Sequence, residues 1–171
     1  MDLDSLIGFI ELSKSGDNSS FDKLFQVYRK SLYLTALAIL ENNYDAEDAV
    51  QDTAIIAFSS IKNLTQNQYI KTWITRILIN RCKRILSIKK RNSTVHLNDD
   101  ILCIEPLSID EITLWDTISL LNKKDKLIIT LRFFNDLDVK EISNVLKCPY
   151  GTAKSKLHRA IKKLKLMYDK E

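Results

Sequence analysis

Gly151, Ser155, His158, Arg159 and Lys162 fall on one face of a helix when residues are spaced at about 100°, with Lys154 and Lys165 at its margins. Cations mixed with short hydroxyl donors suit contacts to phosphates and base edges in a major groove. The backbone N–H groups that open such a helix can meet a phosphate as well. A second basic block lies upstream. Lys71 to Arg91 holds eight Lys or Arg and no acid, while Met1 to Ile70 and Asn92 to Leu146 each carry a net charge of −5. Lys147 to Glu171 returns to +6. A net charge of only +4 therefore hides two separate sites for a polyanion and acidic surfaces for other partners. One acidic cluster is compact, with Asp45, Glu47, Asp48 and Asp52 close in sequence. No paired carboxylates stand beside a His or a metal-ligand cluster, so these acids read as a protein-binding face and not a metal cradle. No catalytic residue, metal or cofactor is expected. Cys82, Cys103 and Cys148 sit far apart without CxxC spacing, which argues for reduced thiols over a disulfide framework or a zinc site.

Helices must position these groups. Three Gly and two Pro leave little material for the tight turns of an all-β chain, and 45% hydrophobic with 28% charged residues is a globular composition. Ser19 and Asp22 form a start signal for a helix carrying Phe21, Leu24, Phe25, Tyr28, Leu32, Ala36, Leu37 and Leu40. Asp45 is expected to cap the next helix, with Asp48 in its first turn. Its inner stripe is small: Ala46, Ala49, Val50, Thr53, Ala54 and Ala57. After the polar stretch Thr65 to Gln68, a third helix runs on Tyr69, Trp73, Ile74, Ile77, Leu78, Ile85 and Leu86, with Trp73 assigned to the core. Its outer face is expected to show Lys71, Thr72, Thr75, Arg76, Asn80, Lys83 and Arg84.

Periodicity is then lost, and residues 91–107 read as a flexible inter-domain linker. It resumes at Ile109 and continues to Phe134. Asp138 to Glu141 is a cap-and-box start for a short helix, Lys147 to Gly151 a turn, and the helix after it buries Ala153, Leu157, Ala160, Ile161 and Leu164. This is a helix-turn-helix. The fold expected is all-α: a helical domain over 1–90, the linker, and a helix-turn-helix domain over 108–171.

Three motifs resemble one family. Asp45-Ala46-Glu47-Asp48-Ala49-Val50-Gln51-Asp52 looks like the acidic signature of region 2 in sigma-70 transcription initiation factors. Trp73 to Asn80 is similar to the helix that follows it there, and Pro149 to Ala160 resembles the region 4 recognition helix. The short two-module length resembles the extracytoplasmic-function (ECF) subgroup. The resemblance implies a non-catalytic, bacterial, cytoplasmic factor that binds core RNA polymerase, directs it to promoter DNA and helps melt it. Asp45, Glu47, Asp48, Gln51 and Asp52 would meet the β′ clamp helices, and the polymerase β flap would be a second contact. Gln66, Asn67, Lys71, Arg76, Asn80, Lys83 and Arg84 would hold the downstream (−10) element, with a flipped base in a pocket near the 66–68 loop. Thr152, Lys154, Ser155, His158, Arg159 and Lys162 would read the upstream (−35) element. An anti-sigma factor is implied as a further partner, able to hold the chain at the membrane; the chain itself has no apolar run of the roughly 20 residues a bilayer needs. Lys147-Cys148 stand where the family often has a Gly, and Ala153 where it commonly has Val. On the residues alone, a free-standing helix-turn-helix regulator and a nucleic-acid enzyme remain open alternatives.

Overall fold

A computed structural model of the chain describes residues 3–92 and 109–168, and every element among them is helical. The first bundle comprises α1 (Leu3–Ser15), α2 (Asn18–Leu40), α3 (Asn43–Ser60) and α4 (Ile70–Asn92), with single 3-10 turns at Ile61–Asn63 and Asn67–Tyr69 between the last two. The second comprises α5 (Ile109–Ser119), α6 (Lys123–Phe133), α7 (Val139–Leu146) and α8 (Tyr150–Tyr168). The linker expected over 91–107 lies almost wholly outside the described residues, although α4 continues to Asn92.

Local chemistry sets the helix starts, and two of them differ from expectation. Asp17, not Ser19, caps α2: its carboxylate accepts from the Ser20 N–H at 2.7 Å. Asn42, not Asp45, caps α3, its side-chain oxygen accepting from the Asp45 N–H at 2.9 Å. Asp45 thus occupies the first turn, where its charge still faces the positive end of the helix, and Asp48 lies beyond it. An Asx side chain reaches the N–H three residues on only from the extended backbone that precedes a helix, so the first residue able to do so takes the cap. Helix α1 was not anticipated at all. It buries Ile10 and Ser13 and packs Leu6 and Phe9 against the α2 core, and Gly16 leaves it at φ +102, a conformation L side chains rarely adopt.

The first core joins Phe21, Leu24, Leu32 and Ala36 of α2 to Ile74 and Leu78 of α4. Ala46, Ala49 and Ala57 of α3 are wholly buried, which lets that helix lie close to α2 and α4. The second core gathers Ile118, Ile128, Leu131, Ile142, Ala153 and Ala160.

The two bundles pack on each other. Ile79 of α4 is buried in the second core, and Trp115 and Phe134 meet edge-on at 5.9 Å where they touch both cores. Buried Asn135 accepts from the Thr35 hydroxyl at 2.8 Å and donates to Thr75 Oγ1 at 3.5 Å. Glu41, the left-handed C-cap of α2, pairs with Lys123 at 2.7 Å and Lys126 at 3.2 Å, and Lys30 pairs with Glu111 at 2.7 Å.

Candidate nucleic-acid interface

The helix-turn-helix is built as its residues dictate. The Asp138 carboxylate accepts the Glu141 N–H at 2.7 Å while the Glu141 carboxylate accepts the Asp138 N–H at 2.8 Å, closing the capping box. Lys147 ends α7 in the left-handed region at φ 52, and the Cys148 N–H returns to the Ser143 carbonyl at 3.0 Å. Pro149 needs no donor, and its carbonyl accepts from Thr152 and Ala153 as α8 begins. Ala153 and Ala160 are wholly buried beside Leu157 and Leu164. Lys154, Ser155, His158, Arg159 and Lys162 are exposed together, with Thr152 half-buried at their edge. Lys163, one turn beyond Arg159 at the margin of this face, pairs with Asp125 of α6; partial burial pushes that carboxyl up, but Lys163, helped by Arg159, holds it low.

Helix α4 presents its cations differently. Asn80, Lys83 and Arg84 are exposed, but Lys71 donates to the Asp136 carboxylate at 3.0 Å and Arg76 to the Asn144 carbonyl at 3.4 Å. Lys71 in turn holds the Asp136 carboxyl below its usual range. Thr72 and Thr75, expected on the outer face, are buried instead, with Thr72 donating to Glu141 at 3.2 Å. The physical reason lies in that stripe itself. Two threonine methyls flanked by Ile79 form a surface that can be packed, and the acids of the second bundle complement the cations around it.

The acidic face splits as well. Asp52 accepts from Arg81 Nε at 2.6 Å, and Asp45 pairs with Lys89. Glu47 is half-buried, and Asp48 and Gln51 are exposed. Beside them stand Ile55 at 69% exposure, Ile56 and Phe58, apolar groups that the sequence reading passed over. Ile55, opposite Ala46 at helical spacing and so unable to face inward, was the available signal.

Gln66, Asn67 and Gln68 form the rim of an open cavity of about 560 Å³ between α1 and the start of α4, lined also by Ile7, Glu11, Tyr28 and Lys71. Lys14 donates to Asn67 Oδ1 at 2.7 Å, and Asn67 Nδ2 donates to Glu11 Oε1 at 2.7 Å. That amide, followed by Lys14, holds the Glu11 carboxyl below its usual range. Glu11 and Lys14 escaped the sequence reading because α1 did. Its Leu6, Ile10 and Ser13 spacing was the signal for the helix. Among the described residues no cluster of His, Cys, Asp and Glu is arranged to hold a metal ion, and no helix is long and apolar enough to cross a membrane.

Two family models match this chain in the order of its bundles: sigma-70 region 2 over residues 24–93 and sigma-70 region 4 over residues 111–164. The chain belongs to the sigma-70 family. This sigma factor is 27% identical to the ECF RNA polymerase sigma factor SigW of Bacillus subtilis over 88% of its own length and 89% of that protein. It is 29% identical to the RNA polymerase sigma-H factor of Pseudomonas aeruginosa, over 88% of this chain and 87% of the other. The fold matches CnrH, solved in complex with the cytosolic domain of CnrY, with a TM-score of 0.66 at 18% identity over 95% of this chain and 96% of that one. It matches the Bartonella quintana sigma factor RpoE, solved with the anti-sigma factor NepR, with a TM-score of 0.67 at 21% identity over 87% and 96% of the two chains. The protein is an ECF-type RNA polymerase sigma factor, and it directs promoter-specific transcription initiation.

Proposed function

We propose that the sigma factor divides its work by surface and performs no catalysis of its own. Asp48, Gln51 and the adjoining Ile55 and Ile56 on α3 dock on the β′ clamp helices of core polymerase, an apolar centre with a charged rim. The Asp45 and Asp52 carboxylates, tied to α4, keep the two helices in register. Lys154, Ser155, His158, Arg159 and Lys162 on α8 read the −35 element, with the α8 start near a phosphate. The 66–68 loop with Lys71, Arg76, Asn80, Lys83 and Arg84 holds the −10 element and a flipped base, so that binding offsets the few kcal/mol of unstacking.

The observation that carries this reading is the α8 face, built on a closed capping box and a buried alanine seam, whose Lys154, His158, Arg159 and Lys162 make no ion pair within 4 Å among the described residues. Lys71 and Arg76 reach DNA only once α7 and the turn before it lift away from α4. Polymerase binding supplies that separation by holding the bundles apart. Solved relatives carry an anti-sigma factor or a cytosolic partner domain, which supports an inhibitor that holds this chain closed in the cytoplasm. The test is transcription in vitro with core polymerase and genomic DNA, with start sites mapped. Start sites sharing two spaced elements are expected, and failure to bind core polymerase overturns the reading.

A further inference from the structure

Helix α1 precedes the span matched to region 2, and nothing in that match gives it a role. It forms one wall of the cavity whose rim is the 66–68 loop. Two of its side chains, one turn apart, grip a single residue of that loop from opposite chemical sides. The Lys14 ammonium can only donate and sits 2.7 Å from Asn67 Oδ1; the ionised Glu11 carboxylate can only accept and sits 2.7 Å from Asn67 Nδ2. Lys14 and Glu11 also pair with each other at 3.1 Å. An amide is ordinarily ambiguous between two orientations related by a flip. Here one orientation satisfies both charges, and the other sets an N–H against an ammonium and a carbonyl against a carboxylate.

A primary amide offers two N–H groups and two lone pairs. The grip uses one of each, which leaves Asn67 one donor and one acceptor in a fixed left-to-right order at the cavity rim. Bases divide by that same order. Adenine and cytosine present an amino donor beside a ring-nitrogen acceptor, whereas guanine and thymine present a carbonyl acceptor beside a ring N–H donor. An amide free to flip would serve both classes, and an amide locked in one orientation serves one.

We infer that Glu11 and Lys14 are positioning residues that lock the Asn67 amide and so make the loop discriminate amino bases from keto bases at one unpaired position of the promoter. This rests on the reading of the 66–68 loop as the flipped-base site.

The experiment uses the full chain with core polymerase and a pool of promoter DNA randomised across the −10 element. Base frequencies in the transcribed products are read by sequencing. The readout is a ratio within one pool, so changes in overall output cancel. Wild-type protein is expected to favour one class over the other by about tenfold at one position, within the range for a bidentate amide–base pair. Glu11→Ala and Lys14→Ala are each expected to bring that ratio close to one, and Lys14→Arg, which keeps the donor, to preserve it. The decisive variant exchanges the two charges, Glu11→Lys with Lys14→Glu. It keeps the ion pair and the helix but turns the amide over, so the preferred class at that position is expected to invert while other positions keep theirs. A loss of preference in Asn67→Ala, together with an unchanged preference in the charge-exchanged protein, overturns the positioning role and leaves the loop reading intact. An unchanged preference in Asn67→Ala overturns the loop reading itself.

Discussion

Helices α4 and α8 carry similar patterns, an apolar stripe on one side and cations on the other, yet the folded chain treats them oppositely. On α8 the cations of the predicted DNA face stand exposed. On α4, Lys71 and Arg76 are engaged by the second bundle, and Arg81 and Lys89 by carboxylates of α3. The difference teaches that a basic block counts as a DNA-binding surface only after its in-chain acids are subtracted. Alternating acidic and basic segments, legible as separate sites in the sequence, are also complementary to one another.

The strongest way to break the contrast is to remove the buried link between the bundles. Asn135→Ala takes the amide donor from Thr75 and leaves the Thr35 hydroxyl only the Ser31 carbonyl, and with the small cavity left behind about 1–2 kcal/mol of lost stabilisation is expected, roughly a 5- to 30-fold shift toward separated bundles. Small-angle scattering should show a larger radius of gyration, and an unchanged radius would mean that the packing does not depend on this amide. A smaller shift is expected from Glu41→Lys, which sets a cation against Lys123 and Lys126. The Lys123 pair is exposed and screened but Lys126 is buried, so about 1 kcal/mol is expected.

The same carboxylates set a pH dependence. Partial burial pushes Glu41 up, but hydrogen bonds from Lys123 and Lys126 outweigh it and hold the group below its ordinary 4.5, and Lys71 holds Asp136 below its ordinary 3.8. Both are depressed in the packed state, so their contribution is full above the ordinary values and is lost as pH falls through the lowered ones. Scattering followed from neutral pH down through and below the carboxylate range checks this, and bundles that stay packed throughout would show that apolar contacts suffice.

Salt titration on duplex DNA sharpens the contrast helix by helix. Lys154→Ala should lower the log–log slope by about 0.9, whereas Lys71→Ala should leave it unchanged until Asn135→Ala is added. Equal losses from both lysines in the otherwise native chain would erase the distinction. The smallest effect is expected at the turn. Lys147→Gly relieves a left-handed residue that carries a Cβ, which should stabilise the second bundle by about 0.5–1 kcal/mol and raise its melting temperature by a few degrees.

Much of this was legible in residue order. The helix-turn-helix, its capping box and the buried Ala153 seam follow from side chains a few positions apart, and local spacing encodes them directly. The caps of α2 and α3 shifted by a few residues because several Asx and Ser side chains compete for the same N–H groups, and backbone geometry decides among them. What was hidden is long-range. The Lys14–Asn67 bond spans 53 positions and Thr35–Asn135 spans 100, and no periodicity reports which faces of two helices will meet. Trp73 packs against the first core as its helical spacing predicts, whereas Thr72 and Thr75 beside it turn inward against expectation, because a threonine suits either water or a packed seam.

The two described thiols are placed where their reactivities differ. Cys82 is wholly buried in the first bundle, and that burial pushes its thiol up to about 12; Cys148 is half-buried at the turn before α8. Only a thiolate reacts with an alkylating reagent at an appreciable rate. In a chain with Cys103, outside the described residues, changed to Ser, Cys148 is modified from the folded state, and Cys82 only as fast as its bundle opens. The molecule thus carries a clock in its first half and a steady reference in its second, and the Cys82 rate set against the Cys148 rate, followed as polymerase or DNA is added, times when the first bundle loosens.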